Sequence, residues 1–361
     1  MKRIIGLLAL GSIFLSSQTF GQEASCAQTL RLVQSTYEQG RLHELEALMT
    51  RCLASGFDDQ QKVTAYRYLT LAYIYLEEPE KADAAMLSLL SAGQPGHFFE
   101  PNDAVDPAEF IALYRKFRTE PLFRFGLKLG PNATLPSITQ TYYVFSGAQG
   151  NGKYSPKVNF SFGLVFEKDF PKFIKNFSIA PEVMFTGRSY NYTNPSLSSK
   201  DFVDPTDPNP NSQSIDQNLQ KQSWIDVNPL VQYKLKDIKF NPYVGVGPGV
   251  SYLLKSTYDV RTQVTGQGAI TGSAIDTKSN YNALAYSVIL TTGAKIRVGS
   301  FYLTGDIRYQ YGLNNIVKSS ERSNSEALFD RGYVPSDYRQ SNLIIYLGMA
   351  IPYFSPKKLV K

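Results

Sequence analysis

Histidine, cysteine, tryptophan and methionine are all scarce in this chain of 361 residues: two, two, one and five respectively. Both histidines, His43 and His97, fall upstream of Pro121. The larger downstream part therefore has no imidazole for a Ser-His-Asp triad or a two-histidine metal site. A Gly-x-Ser-x-Gly elbow, a phosphate loop and a cysteine-histidine metal spacing are also missing, which removes common hydrolase, nucleotide and zinc chemistries. No cofactor, small-molecule substrate or enzyme activity is implied. Beyond the amino-terminal stretch no run is long and apolar enough for a membrane helix, so any insertion into a bilayer has to be by strands. The net charge of +6 comes without a basic run interleaved with aromatics, and nucleic acid is not an expected partner.

What is present begins with a leader. Lys2 and Arg3 precede an apolar stretch over 4–15 and a polar segment ending near Gly21 or Gln22, the pattern of a secretory signal over 1–22. Cys26 lies too far beyond that stretch to resemble a lipoprotein acylation site.

From 23 to 118 the apolar period is 3.6, which predicts a small helical domain. Two helix-turn-helix units are expected, 26–39 with 41–54 and 60–76 with 80–92. In the second, Tyr66, Leu69, Tyr73, Ala82, Met86 and Leu89 occupy the packing positions of the tetratricopeptide pattern, with Pro95 near its terminal proline. The first keeps Leu32, Tyr37, Gly40 and Met49 but has Leu45 where a small residue is usual. Asp106, Pro107 and Glu109 read as N-cap, first helical position and early acid of a short helix carrying Phe110, Leu113, Tyr114 and Phe117. Cys26 opens the first helix and Cys52 ends the second, so an antiparallel hairpin allows a disulfide; two buried thiols are the alternative. Surface positions of the second unit, Arg67, Tyr75 and Glu78, are the candidates for binding a protein partner.

From 119 to 361 the period is two. Apolar-alternating runs over 122–132, 157–169, 177–190, 224–235, 240–254, 286–298, 302–313 and 342–354 each have roughly the ten residues a tilted strand needs to cross hydrocarbon. Their connections alternate between tight (170–176, 236–239, 299–301) and long, polar ones (133–156, 191–223, 255–285, 314–341). An even count of such strands with alternating short and long turns is the signature of a transmembrane β-barrel, with the long loops outside the cell and both ends of the domain in the periplasm. The fold class expected is α+β, multidomain: an eight-stranded antiparallel barrel preceded by a periplasmic helical, tetratricopeptide-like domain.

Turning the apolar set toward lipid points Phe123, Phe125, Leu127 and Leu129 outward, and Arg124 and Lys128 into the lumen. The same rule sends Glu182, Asp226, Asn228, Gln232, Lys234, Lys295, Arg297, Asp306, Arg308 and Gln310 inward. A barrel this narrow has space only for its own side chains, so these groups are expected to form a paired polar network, a narrow pore being the rival. Tyr190, Tyr192, Tyr233, Tyr252, Tyr309, Tyr311, Tyr353 and Phe354 are placed at lipid headgroup level. The glycines of Gly245-x-Gly247-Pro248-Gly249 fall within a strand, where small residues ease curvature. Residues 201–211 carry three acids but lack the spacing of a calcium loop and read as a surface loop. Pro356, Lys357 and Lys358 read as a solvated tail.

Phe125-Gly-Leu-Lys-Leu-Gly-Pro-Asn132 and Asn241-Pro-Tyr-Val-Gly-Val-Gly-Pro-Gly-Val-Ser-Tyr252 resemble the PorT-like small outer-membrane barrels of Bacteroidota. The resemblance spans 121–354 and implies an up-and-down eight-stranded barrel. Some members of that family take part in type IX secretion and gliding, which implies a place in an envelope complex. The helical domain is an addition to the bare barrel and favours a periplasmic docking role. A barrel that binds through its long loops at the cell surface is the alternative.

Overall fold

A computed structural model describes residues 19–92, 99–118, 120–144, 152–170, 176–193, 214–235, 240–264, 270–329 and 333–359. It divides into a helical unit, Met1–Leu122 with Pro352–Lys361, and a strand unit, Phe123–Ile351.

The helical unit contains α1 (Thr19–Glu38), α2 (Leu45–Ala54), α3 (Asp59–Tyr75), α4 (Pro79–Ser91) and α5 (Ala108–Tyr114). The expected leader lies outside the described residues except for 19–22, which begin α1. A reciprocal cap starts α3: the Gln61 amide donates to the Asp58 carboxylate at 2.7 Å, and the Asp58 amide donates to the Gln61 side chain at 3.1 Å. Proline at the first position starts α4. Val33, Leu45, Met49, Leu69, Ala72, Met86, Leu89 and Phe110 form one buried core, and Cys26 and Cys52 are joined as a disulfide, their Cα atoms 5.7 Å apart.

One expectation changes in this unit and another is refined. Asp106 does not cap α5, which begins after Pro107. Its carboxylate instead accepts from Arg67 Nε and from the Asn102 amide, each at 2.7 Å, because a cation is a stronger partner than a helix amide. The tail keeps Lys357 and Lys358 exposed to solvent, but it is also tied to the helical unit. Phe354 packs on the helical core, Arg118 N donates to Lys357 O at 2.9 Å, and Leu359 N donates to Lys116 O at 2.7 Å. Phe117 and Lys358 form a β-bridge, and Lys358 pairs with Asp83. An extended tail has unused backbone donors and acceptors, and those around Phe117 satisfy them.

In the strand unit the long elements are β1 (Phe123–Gln140), β2 (Lys153–Asp169), β3 (Phe177–Thr193), β4 (Ser214–Lys234), β5 (Phe240–Asp259), β9 (Leu284–Val298), β10 (Phe301–Gly312) and β11 (Asp337–Tyr353). Three short strands, β6 (Arg261–Val264), β7 (Ile270–Thr271) and β8 (Ile275–Asp276), decorate β4 and β5. The order β4-β3-β2-β1-β11-β10-β9-β5, with β5 returning to β4, closes a ring of eight antiparallel strands. The tight connection at Gly299 and Ser300 uses a left-handed glycine, φ 57°. The connecting residues 171–175 and 236–239 and the acidic segment 201–211 lie outside the described residues.

Several strands run well past the lengths expected from apolar alternation: β1 continues to Gln140, β4 begins at Ser214 and β11 at Asp337. Parts of the segments 133–156, 191–223, 255–285 and 314–341 are therefore ladder and not loop. In these extensions the outward face turns polar, so the alternation fades while the backbone pairing, as in Lys153 opposite Thr193, goes on. At the same end Tyr190 and Tyr192 are buried and not at a lipid interface; they turn inward and pack with Tyr338 and Tyr333 at ring separations of 5.5 and 4.9 Å.

Candidate functional site: an ion-paired lumen and a helical groove

The ring is apolar outside and charged inside, the reverse of a water-soluble protein. Phe125, Leu127, Leu129, Phe160, Val183, Val227, Leu290, Ile307 and Leu347 are exposed on its outer face, while Lys128, Glu182, Asp306 and Arg308 are 3%, 1%, 3% and 1% accessible. Period-two geometry produces this from the sequence: Phe125, Leu127 and Leu129 leave Arg124, Gly126, Lys128 and Gly130 on the opposite face of β1.

Among the described residues, three groups of paired charges fill the lumen. In the first, Arg124 meets Glu167 at 3.0 Å and Asp169 at 2.8 Å, Lys234 meets Asp169 at 2.9 Å, and Lys295 meets Glu167 at 2.6 Å. In the second, Lys128 lies between Glu182 (2.9 Å) and Asp306 (2.7 Å), and Arg308 reaches Glu182 at 2.7 Å. The Tyr243 hydroxyl donates to Asp306 at 2.9 Å. In the third, Arg188 meets Asp226 at 2.6 Å and donates to Gln340 and Ser251 at 3.0 Å. Aromatic rings cover four of the cations: Tyr302 over Arg124, Tyr243 over Lys295, Tyr346 over Arg308 and Trp224 over Arg188, at 4.5–5.0 Å. Beyond Arg188 the lumen continues into the tyrosines, where the Tyr190 hydroxyl donates to that of Tyr338 at 2.9 Å.

The structure brings Arg124, Lys128, Glu182, Asp226, Lys234, Lys295, Asp306 and Arg308 into the interior, and places Arg297 half-buried at the Val298 end of β9. Glu167, Asp169, Arg188, Trp224 and Tyr243 belong to the same network and were not singled out from the sequence. Glu167 and Asp169 were legible, since they keep step with Ser161, Gly163 and Val165 opposite Phe162, Leu164 and Phe166. Arg188 was not, because Ser189 and Tyr190 after it break the apolar alternation.

In the helical unit the three partner-binding candidates have different fates. Arg67 is held by Asp106 at 2.6 Å and is mostly covered, so its guanidinium serves the unit's own fold. Tyr75 is exposed. Glu78 pairs with Lys81 at 2.9 Å and lines a groove of about 550 Å³ with Tyr73, Ile74, Pro79, Ala82 and Leu113. Burial, together with a hydrogen bond to Glu46, pushes the Tyr73 hydroxyl up, and the bond to Glu78 does the same for the Lys81 ammonium; both stay protonated near neutrality.

A closed ring of eight strands with an apolar outer wall and a charged, paired filling is an outer-membrane β-barrel. Residues 118–318 match the outer membrane protein beta-barrel domain family, and the chain belongs to that family. No curated protein matches it. Among solved structures it is similar to the outer membrane protein OprG from Pseudomonas aeruginosa, at 10% identity over 65% of this chain and 98% of the other, TM-score 0.37. It is also similar to Neisserial surface protein A, at 12% identity over 66% and 97%, TM-score 0.29. A third similar structure is Ail, the attachment invasion locus protein of Yersinia pestis, at 9% identity over 65% and 99%, TM-score 0.27.

Proposed function

We propose that this outer-membrane barrel is a non-enzymatic anchor whose helical unit docks a protein partner from the periplasmic side, as a component or accessory of an envelope complex. The filling of the lumen carries this reading. A water-filled channel leaves its lining accessible, whereas Arg188, Glu182, Asp306 and Arg308 are almost wholly covered, as suits a plug that holds the ring in shape. The alternation of tight and long connections supports a reading in which both ends of the barrel, and with them the helical unit, face the periplasm. Leu32, Tyr75 and Leu87 leave that unit with exposed apolar side chains, and Tyr75 with Glu78 is the surface assigned to the partner. The resemblance to PorT-like barrels makes the type IX secretion and gliding apparatus the first complex to examine.

A photo-crosslinking residue at Tyr75 of the full chain, in intact envelopes, tests the reading. Protein adducts at Tyr75 that are missing from the same probe at the lipid-facing Phe125 are expected; equal, adduct-free behaviour at both sites removes the docking role. Planar bilayers with the purified barrel should show no discrete conductance.

Binding at the cell surface is a second reading, favoured by the order of the long-loop end, where Arg322 donates to Pro335 O at 2.6 Å and Asn280 donates to Glu321 O at 3.0 Å. Shortening the connection between β3 and β4, with both strands kept whole, would abolish surface binding on this reading and leave the Tyr75 adducts intact.

A further inference from the structure

Just beyond the apolar band at the long-loop end, strand register gathers lysines on the outer wall. Lys157 on β2 lies opposite Ser189 on β3, and Ser189 lies opposite Lys221 on β4. One row along β4, Ser223 lies opposite Lys255 on β5. Paired residues share a face of the sheet, and the neighbours Arg188, Gln220, Gln222 and Ser256 take the inner one, so all three lysines project outward. Neighbouring strands are about 4.8 Å apart, which sets Lys157 and Lys221 about 10 Å from each other, within joint reach of one phosphate group on their long stems. Ser189, the small residue between them, accepts a hydrogen bond from Asn159 at 2.7 Å.

The wall on the membrane side of this row is apolar: Phe160 and Phe162 on β2, Ile225 on β4, Tyr252 and Leu254 on β5, all exposed. An acyl chain lying on that wall has its headgroup at the lysines. Two carboxylates border the row: Asp259, 2.5 Å from the Lys221 ammonium, and the exposed Asp276, which lies opposite Thr257, itself the partner of Lys221. Among the described residues neither Lys157 nor Lys255 takes part in an ion pair, so the patch keeps an uncompensated positive charge where lipid headgroups begin.

We propose that Lys157, Lys221 and Lys255 form a binding site for the phosphate groups of a membrane lipid, with its acyl chains on the Phe160–Ile225–Leu254 wall. A lysine near an anionic membrane surface contributes about fivefold in affinity, and three act together here against the two carboxylates of Asp259 and Asp276.

Full-length protein in neutral detergent micelles, with diphosphoryl lipid A as the probe, tests the site by native mass spectrometry. Retained lipid A is expected on the wild type and should fall by about tenfold or more in K157Q/K221Q/K255Q. Lys318→Gln, whose ammonium pairs with Glu321 on a loop, should leave it unchanged. Zwitterionic phosphatidylcholine should not discriminate the triple variant from the wild type. Should the triple variant fail the heat-modifiable gel test of a folded barrel, Lys157→Gln and Lys255→Gln, which break no ion pair, are read singly, with a drop of about fivefold each. Unchanged lipid A retention in the folded variants overturns the site, and so does inorganic phosphate that displaces lipid A completely, since that outcome marks a site for free anions.

Discussion

Lys128 on β1 and Asp306 on β10 stand 178 residues apart in the chain and meet at 2.7 Å inside the barrel. Between them they touch Glu182, Tyr243 and Arg308, so this contact joins β1, β3, β5 and β10 across the lumen. A charge out of bulk water is costly alone and tolerable when paired. Lys128→Met should therefore destabilise the refolded barrel by about 3–5 kcal/mol, the usual penalty for leaving a buried partner uncompensated, and Lys128→Met with Asp306→Leu should recover part of that loss. Urea titration in lipid vesicles measures both; a double variant no more stable than the single would count against pairing as the cause.

Closure of the ring depends on a close backbone approach. A Cβ on Gly130 would lie 1.7 Å from the Ile345 carbonyl oxygen, well inside any allowed contact, and both belong to the β1 and β11 seam. Gly130→Val is expected to prevent closure, seen as loss of the fast-migrating folded band on unheated gels. Gly305, whose Cβ would meet nothing nearer than Leu347 Cδ2 at 3.7 Å, should accept alanine with the folded band retained.

The Cys26–Cys52 bridge spans 26 residues, a loop whose closure contributes about 3 kcal/mol in the chain-entropy picture. C26S/C52S should lower the thermal midpoint of the helical unit while the heat-modifiable band of the barrel is unchanged. A midpoint insensitive to the substitution and to reductant would show that the bridge contributes nothing to stability.

Asp106 accepts from Arg67 and from the Asn102 amide, tying the segment before α5 to α3. Asp106→Ala leaves both donors without this partner and should cost about 2 kcal/mol. The expected readout is faster thermolysin cleavage near 99–106 in the full chain, with Glu109→Gln, at an exposed position, cleaved at the wild-type rate.

The sequence by itself determined which residues face lipid and which face inward, because a strand turns over every second residue and Phe125, Leu127 and Leu129 can alternate with Arg124 and Lys128 in only one way. It likewise separated the helical domain, where the period of 3.6 in Tyr66, Leu69 and Tyr73 is equally local. Tertiary structure decided which charges meet: the ring's closure and register bring Lys128 to Asp306 and Arg188 to Gln340, partners that no local pattern encodes. It also decided that Tyr190 and Tyr192 turn into the lumen, where other tyrosines cover them, and that Lys358 returns to Asp83. Periodicity is a property of a few neighbouring residues, whereas pairing is a property of the closed ring and the packed core, and only these set distant segments side by side.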